Sequence, residues 1–224
     1  MQVNQPKEGG AELNPASISK PEIRERPILF NDAMVRAILD GRKTVTRRQI
    51  TPQFPSSVKE VLPYVAHRDT WMPSNPESPD EAWEEQVRVC PYGKPGDRLW
   101  VRETFAVYGD ENFAAIHYRA DRPHDVGRKG VGYKPSIHMP RWACRILLEI
   151  TNVRVERLQD ITEEQAEAEG VRACEHDLDP DGNGYSATEL LSILWSSLYG
   201  VDSYNANPWV WVVEFKRVEV ANVQ

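Results

Sequence analysis

The chain is poor in cysteine, has no long apolar run and carries no excess of positive charge. Its 224 residues include three cysteines, Cys90, Cys144 and Cys174. They are odd in number and far apart, which excludes a disulfide framework and points to reduced thiols in a cytoplasmic compartment. No C-x-x-C or H-x-x-x-H spacing occurs, so neither a zinc site nor another cofactor is expected. No apolar segment approaches the roughly 18 residues that cross a bilayer. Residues 1–25 lack the apolar region of a secretory signal, so no membrane partner is expected. The net charge of −7 excludes broad coating of nucleic acid or anionic lipid. No internal repeat is visible.

Against that acidic background stands one basic cluster. Gly41-Arg42-Lys43-Thr44-Val45-Thr46-Arg47-Arg48 carries four cations and two hydroxyls within seven residues, 42–48. It follows a predicted helix over 32–40, with Met34, Ile38 and Leu39 at helical spacing, Asn31 or Asp32 as cap and Gly41 as stop. The cations therefore sit just past a helix C-terminus, on a loop turning into a strand. Cations there commonly satisfy the last helix carbonyls. Lys43 and Thr46 are an odd number apart, so they face one way only if Lys43 is still in the turn.

Residues 1–25 read as a disordered tail, and 26–220 as one domain. Residues 51–95, rich in Pro, Ser and acidic groups, read as an insertion or lid containing short elements, and 105–135 as a second insertion. Pro95-Gly96-Asp97 turns into a strand over 98–103. Further strands are expected at 113–119, over 144–158 as one bent strand or two, and at 209–218. Thr162/Gln165 and Ser186/Glu189 are capping boxes opening helices that Gly170 and Gly200 stop. In the second, Leu190, Leu191, Leu194, Trp195 and Leu198 form one apolar face. Helices between strands without regular alternation make an α+β protein, with a small twisted barrel as the natural way to hide edge strands.

Three segments in order resemble the ASCH domains of the PUA-like β-barrel superfamily: Ile38 to Arg48, Leu158 to Gly170, and Trp211-Val212-Val213-Glu214-Phe215-Lys216. The Arg26-Pro27-Ile28-Leu29-Phe30 opening and the Ser136 to Trp142 segment look like the larger, phage- and prophage-type members. The resemblance implies a PUA-like twisted β-barrel with flanking helices. It also implies an amidohydrolase that removes the acyl group of N4-acetylcytidine, with a lysine as proton acceptor, a threonine three residues later as nucleophile and a glutamate as proton donor. The matching positions are Lys43, Thr46 and Glu169.

The residues suit that chemistry. Burial and neighbouring cations (Arg42, Arg47, Arg48) push a lysine pKa down, toward a usable base. Glu169, at a helix C-terminus near Glu163 and Glu167, is expected to be pushed up, toward a usable acid. Arg42, Arg48, His138 and Trp142 are candidates for substrate binding, and Trp100, Tyr133 or Trp142 for stacking on a pyrimidine. The expected partner is a modified nucleoside, met by a monomer. Two other readings remain: an RNA-binding or RNA-cleaving module whose basic loop grips phosphate, and a phage accessory scaffold.

Overall fold

The computed structural model describes residues 22–67, 69–78, 83–108, 115–122, 124 and 132–219. The tail expected over 1–25 lies outside these up to residue 21. At its end the expectation fails, because Glu25 opens the first strand, β1 (Glu25–Leu29).

Helix α1 (Asp32–Leu39) is capped by Asn31, whose side chain accepts from the Met34 amide at 2.8 Å. Ala33, Met34, Val35, Ala37 and Ile38 are buried, and Gly41 takes the left-handed φ of 74° that ends the helix. β2 (Val45–Gln49) follows. Lys43 therefore precedes the strand, as convergence with Thr46 requires. The segment read as a lid holds β3 (Glu60–Pro63), β4 (Thr70–Ser74) and β5 (Arg88–Val89), one antiparallel sheet. Its short elements are present, but Val58, Val61, Trp71 and Trp83 join the main core, and the Trp71 and Trp211 rings meet edge-on at 5.1 Å. Apolar burial anchors it there instead of leaving it as a lid.

β6 (Arg98–Arg102) starts after a turn held by Asp97, which accepts from the Arg24 amide and from Arg26. β7 (Phe105–Tyr108) and β8 (Ala115–Tyr118) form a hairpin in the second expected insertion. β9 (Leu147–Arg157) is one strand of 11 residues, which decides between one and two. The bend is a bulge: Glu214 pairs with Asn152 and Phe215 with Ile150, leaving Thr151 extra.

Helices α2 (Glu163–Ala168) and α4 (Ala187–Tyr199) both open with complete capping boxes, and α3 (Glu175–Leu178) is a single turn between them. β10 (Trp209–Val218) is the last element among the described residues. The main sheet runs β1-β6-β9-β10-β2, with β1 and β6 parallel and the other pairs antiparallel. β10 is apolar on both faces. Trp209, Trp211, Val213 and Phe215 pack into the core with α1 and the small sheet, while Val210 and Val212 pack with Val45, Leu158 and Trp195 of α4. The architecture is α+β. The sheets are open, and no closed barrel forms among the described residues. Arg48 on one edge strand nevertheless donates to the Leu29 carbonyl on the other at 2.8 Å.

Candidate active site

The turn between α1 and β2 is fixed from both sides. The Lys43 amide donates to the Ala37 carbonyl at 3.0 Å, and the Thr44 amide to the Ala168 carbonyl at the end of α2 at 2.9 Å. Gly170, at φ 80°, lets the two segments touch: a Cβ there would lie 3.1 Å from the Cβ atoms of Ala37 and Lys43. A side chain at 170 would push Lys43 away from Glu169.

Lys43, Thr46 and Glu169 are all buried, at 3%, 3% and 5% exposure, and all three line one cavity of about 370 Å³. The Lys43 ammonium uses its three donors fully. It reaches the Val45 carbonyl at 2.8 Å, the Glu169 carbonyl at 2.7 Å and Glu169 Oε2 at 2.9 Å. Burial pushes its pKa below the usual lysine range; the Glu169 carboxylate pulls it partly back, and Arg48 adds a smaller downward push. Thr46 forms no hydrogen bond through its hydroxyl with a described residue, which leaves that hydroxyl available to a ligand.

Arg47 holds the other carboxylate oxygen. Its Nη1 lies 3.3 Å from Glu169 Oε1, while Nη2 reaches Gln165 Oε1 at 2.8 Å and Glu156 Oε2 at 3.2 Å. Glu169 thus faces two cations. The carboxylates expected beside it are elsewhere: Glu163 caps α4 through the Ala187 and Thr188 amides, and Glu167 is exposed. Their charges are spent on a helix N-terminus and on solvent.

Of the expected binding residues, only Arg48 reaches the cavity. Arg42 is exposed and paired with Asp40 at 2.7 Å, because it points back over the end of α1. His138 and Trp142 sit in short 3-10 turns, both exposed, Trp142 at 65%. Neither lines the cavity, although Ser136 of the same segment does. Trp100 packs instead against the cluster of Phe105, Met139 and Ala143.

The missing wall comes from α4: Leu191, Leu194, Trp195, Leu198 and Tyr199. The Trp195 and Tyr199 rings meet at a tilt of 33° with centroids 4.4 Å apart. Opposite them stands Phe30, with Lys43 Nζ and Arg48 Cζ each 5.2 Å from its ring centroid. The apolar face of α4 was visible in the sequence; nothing local told which part of it faces a cavity. Arg47 was visible only as a neighbour in the basic cluster.

No family model matches this chain, and no curated protein does. Among solved structures, it is similar to the crystal structure of protein EF3133 from Enterococcus faecalis V583, described under the family model DUF984. The two are 10% identical, with a TM-score of 0.37, over 91% of this chain and 86% of that one.

Proposed function

We propose that this chain is an ASCH-type amidohydrolase that removes the acyl group from N4-acylated cytosine nucleosides, giving cytidine and a carboxylate. The observation that carries the reading is the convergence of Lys43, Thr46 and Glu169 on one cavity, with the Lys43 and Glu169 side chains 2.9 Å apart. The open sheet, clasped across its gap by Arg48 and Leu29, is read as the core of a PUA-like barrel.

The buried pair supplies both catalytic groups at once. Moving one proton from Lys43 Nζ to Glu169 Oε2 turns an ammonium and a carboxylate into a neutral amine and a carboxylic acid. Burial of Lys43 favours that neutral form. The amine then takes the Thr46 hydroxyl proton as the oxygen attacks the acyl carbon. The tetrahedral adduct collapses, the C–N bond breaks, and the Glu169 carboxyl delivers its proton to the departing N4. Water then attacks the acyl carbon and passes a proton to the Glu169 carboxylate. The acyl C–O bond to Thr46 breaks as Lys43 returns the proton to the threonine oxygen. The carboxylic acid leaves and ionises in solvent, with neutral Lys43 and protonated Glu169 restored. The Arg47 guanidinium holds Glu169 in place throughout.

Incubation with N4-acetylcytidine, followed by chromatography, tests the reading. Cytidine and acetate should accumulate with wild type and not with Thr46→Ala. Absence of cytidine together with tight, steeply salt-dependent RNA binding would replace this reading by an RNA-binding one.

A further inference from the structure

Among the described residues, four cations line the cavity: Lys43, Arg47, Arg48 and Arg119. Three have carboxylate partners. Lys43 pairs with Glu169, Arg47 with Glu156 and Glu169, and Arg119 with Asp32. Arg48 has no carboxylate partner among the described residues. Its Nη2 donates to the Leu29 carbonyl, its Nε is buried without a hydrogen-bond partner, and its charge rests on the Phe30 ring. A guanidinium offers five N–H donors in a planar fork that fits phosphate or carboxylate oxygens. In a chain of net charge −7, one uncompensated cation is therefore held at a cavity wall, where the hydroxyl-bearing Thr104 and Ser136 also contribute to the lining.

We infer that Arg48 binds an anion on the substrate, and that the substrate is a nucleotide bearing a phosphate in place of the bare nucleoside. This rests on the amidohydrolase reading for the base and the acyl group. Among the described residues Arg48 is the single spare cation at the cavity, which suits one phosphate. A polynucleotide needs a row of cations, because each neutralised phosphate adds to affinity. A carboxylate on the acyl group would offer Arg48 similar chemistry and is separated by experiment.

The experiment compares kcat/KM for N4-acetylcytidine, its 5′-monophosphate and N4-succinylcytidine, with wild type and Arg48→Gln. The monophosphate should be turned over at least tenfold more efficiently than the nucleoside by wild type. That ratio should fall toward one in Arg48→Gln, checked for folding by its melting curve. Equal efficiencies with wild type overturn the inference and leave the amidohydrolase reading standing, and this comparison does not need the variant to fold. Preference for the succinyl compound alone overturns the nucleotide assignment. If no compound is hydrolysed, the amidohydrolase reading fails, and calorimetry with CMP and cytidine decides the anion site. CMP bound at least tenfold more tightly, with the advantage lost in Arg48→Gln, upholds it; equal binding overturns it.

Discussion

The Lys43 ammonium meets Glu169 twice, at the side-chain Oε2 at 2.9 Å and at the main-chain carbonyl at 2.7 Å. The side-chain contact is chemistry in waiting. The main-chain contact is architecture: Lys43 caps the end of α2, while the end of α1 is capped by Arg217, which donates to the Leu39 carbonyl. One lysine thus ties the loop after α1 to a helix more than a hundred residues away, and its loss removes both a fastener and a base.

That double role separates two variants. Lys43→Ala leaves the Val45 and Glu169 carbonyls unpaired and breaks a buried ion pair, so it should destabilise the fold by about 3–5 kcal/mol. Thr46→Ala loses no hydrogen bond to a described residue and should cost less than about 1 kcal/mol. Both should abolish turnover, while Thr46→Ser should retain part of it. Denaturant unfolding alongside cytidine release checks this, and a fully active Thr46→Ala protein would remove threonine as nucleophile.

What was legible in the sequence was local. The two capping boxes and the Gly41 stop each reside within a few residues and formed as read, and the cap left open between Asn31 and Asp32 is Asn31. β10 was legible because its apolar run is long enough to be buried on both faces. Lys43 and Thr46 were legible as a conditional pair, and the condition was met by the strand starting at Val45. What escaped depends on distant packing. Residues 51–95 read as an insertion or lid because prolines, serines and acidic residues mark their composition, yet Trp71 and Trp83 bury in the main core. His138 and Trp142 looked suited to recognition, but the 3-10 turns that carry them aim both at solvent.

Gly170 offers a test of the contact behind the site. An alanine there meets a positive φ and the Ala37 and Lys43 Cβ atoms at 3.1 Å. Gly170→Ala should lose about 1–3 kcal/mol of stability. Because Lys43 must shift, kcat should fall several-fold more than KM rises. Wild-type kinetics in this variant would mean that the close approach does not position Lys43.

Linkage gives the pH dependence of stability a sign. The Lys43 pKa is lower in the folded chain than the ordinary 10.5, chiefly through burial. Between the lowered value and 10.5 the unfolded chain binds more protons, so stability rises with pH. The destabilising effect of burying the charge is fully present below the folded pKa and is relieved as pH climbs toward 10.5. Relative to Lys43→Met, wild type should therefore gain stability as pH is raised from neutrality through this window. A flat difference between the two, measured by urea unfolding at several pH values, contradicts a depressed Lys43.

The rate profile depends on the neighbours of that lysine in opposite ways. Arg48 pushes the Lys43 pKa down, so Arg48→Gln should move the inflection of kcat/KM set by Lys43 to higher pH with N4-acetylcytidine as substrate. Unchanged inflections would confine Arg48 to ligand binding.

Glu169→Gln should do the reverse and more. The Glu169 carboxylate raises the Lys43 pKa by its charge and its hydrogen bond, so an uncharged glutamine lets the lysine fall further. The inflection set by Lys43 should move to lower pH. The amide keeps the shape of the carboxyl group and its contact with Arg47, but has no acidic proton for the departing N4. Since that proton matters in the transition state and not in binding, kcat should drop far more than KM rises. The loss should shrink on acylcytosines whose amine is made less basic by an electron-withdrawing ring substituent, because such a group leaves with less protonation. A glutamine variant with intact kcat and a raised KM would make Glu169 a binding residue, and the proton would have to come from another group on the cavity wall.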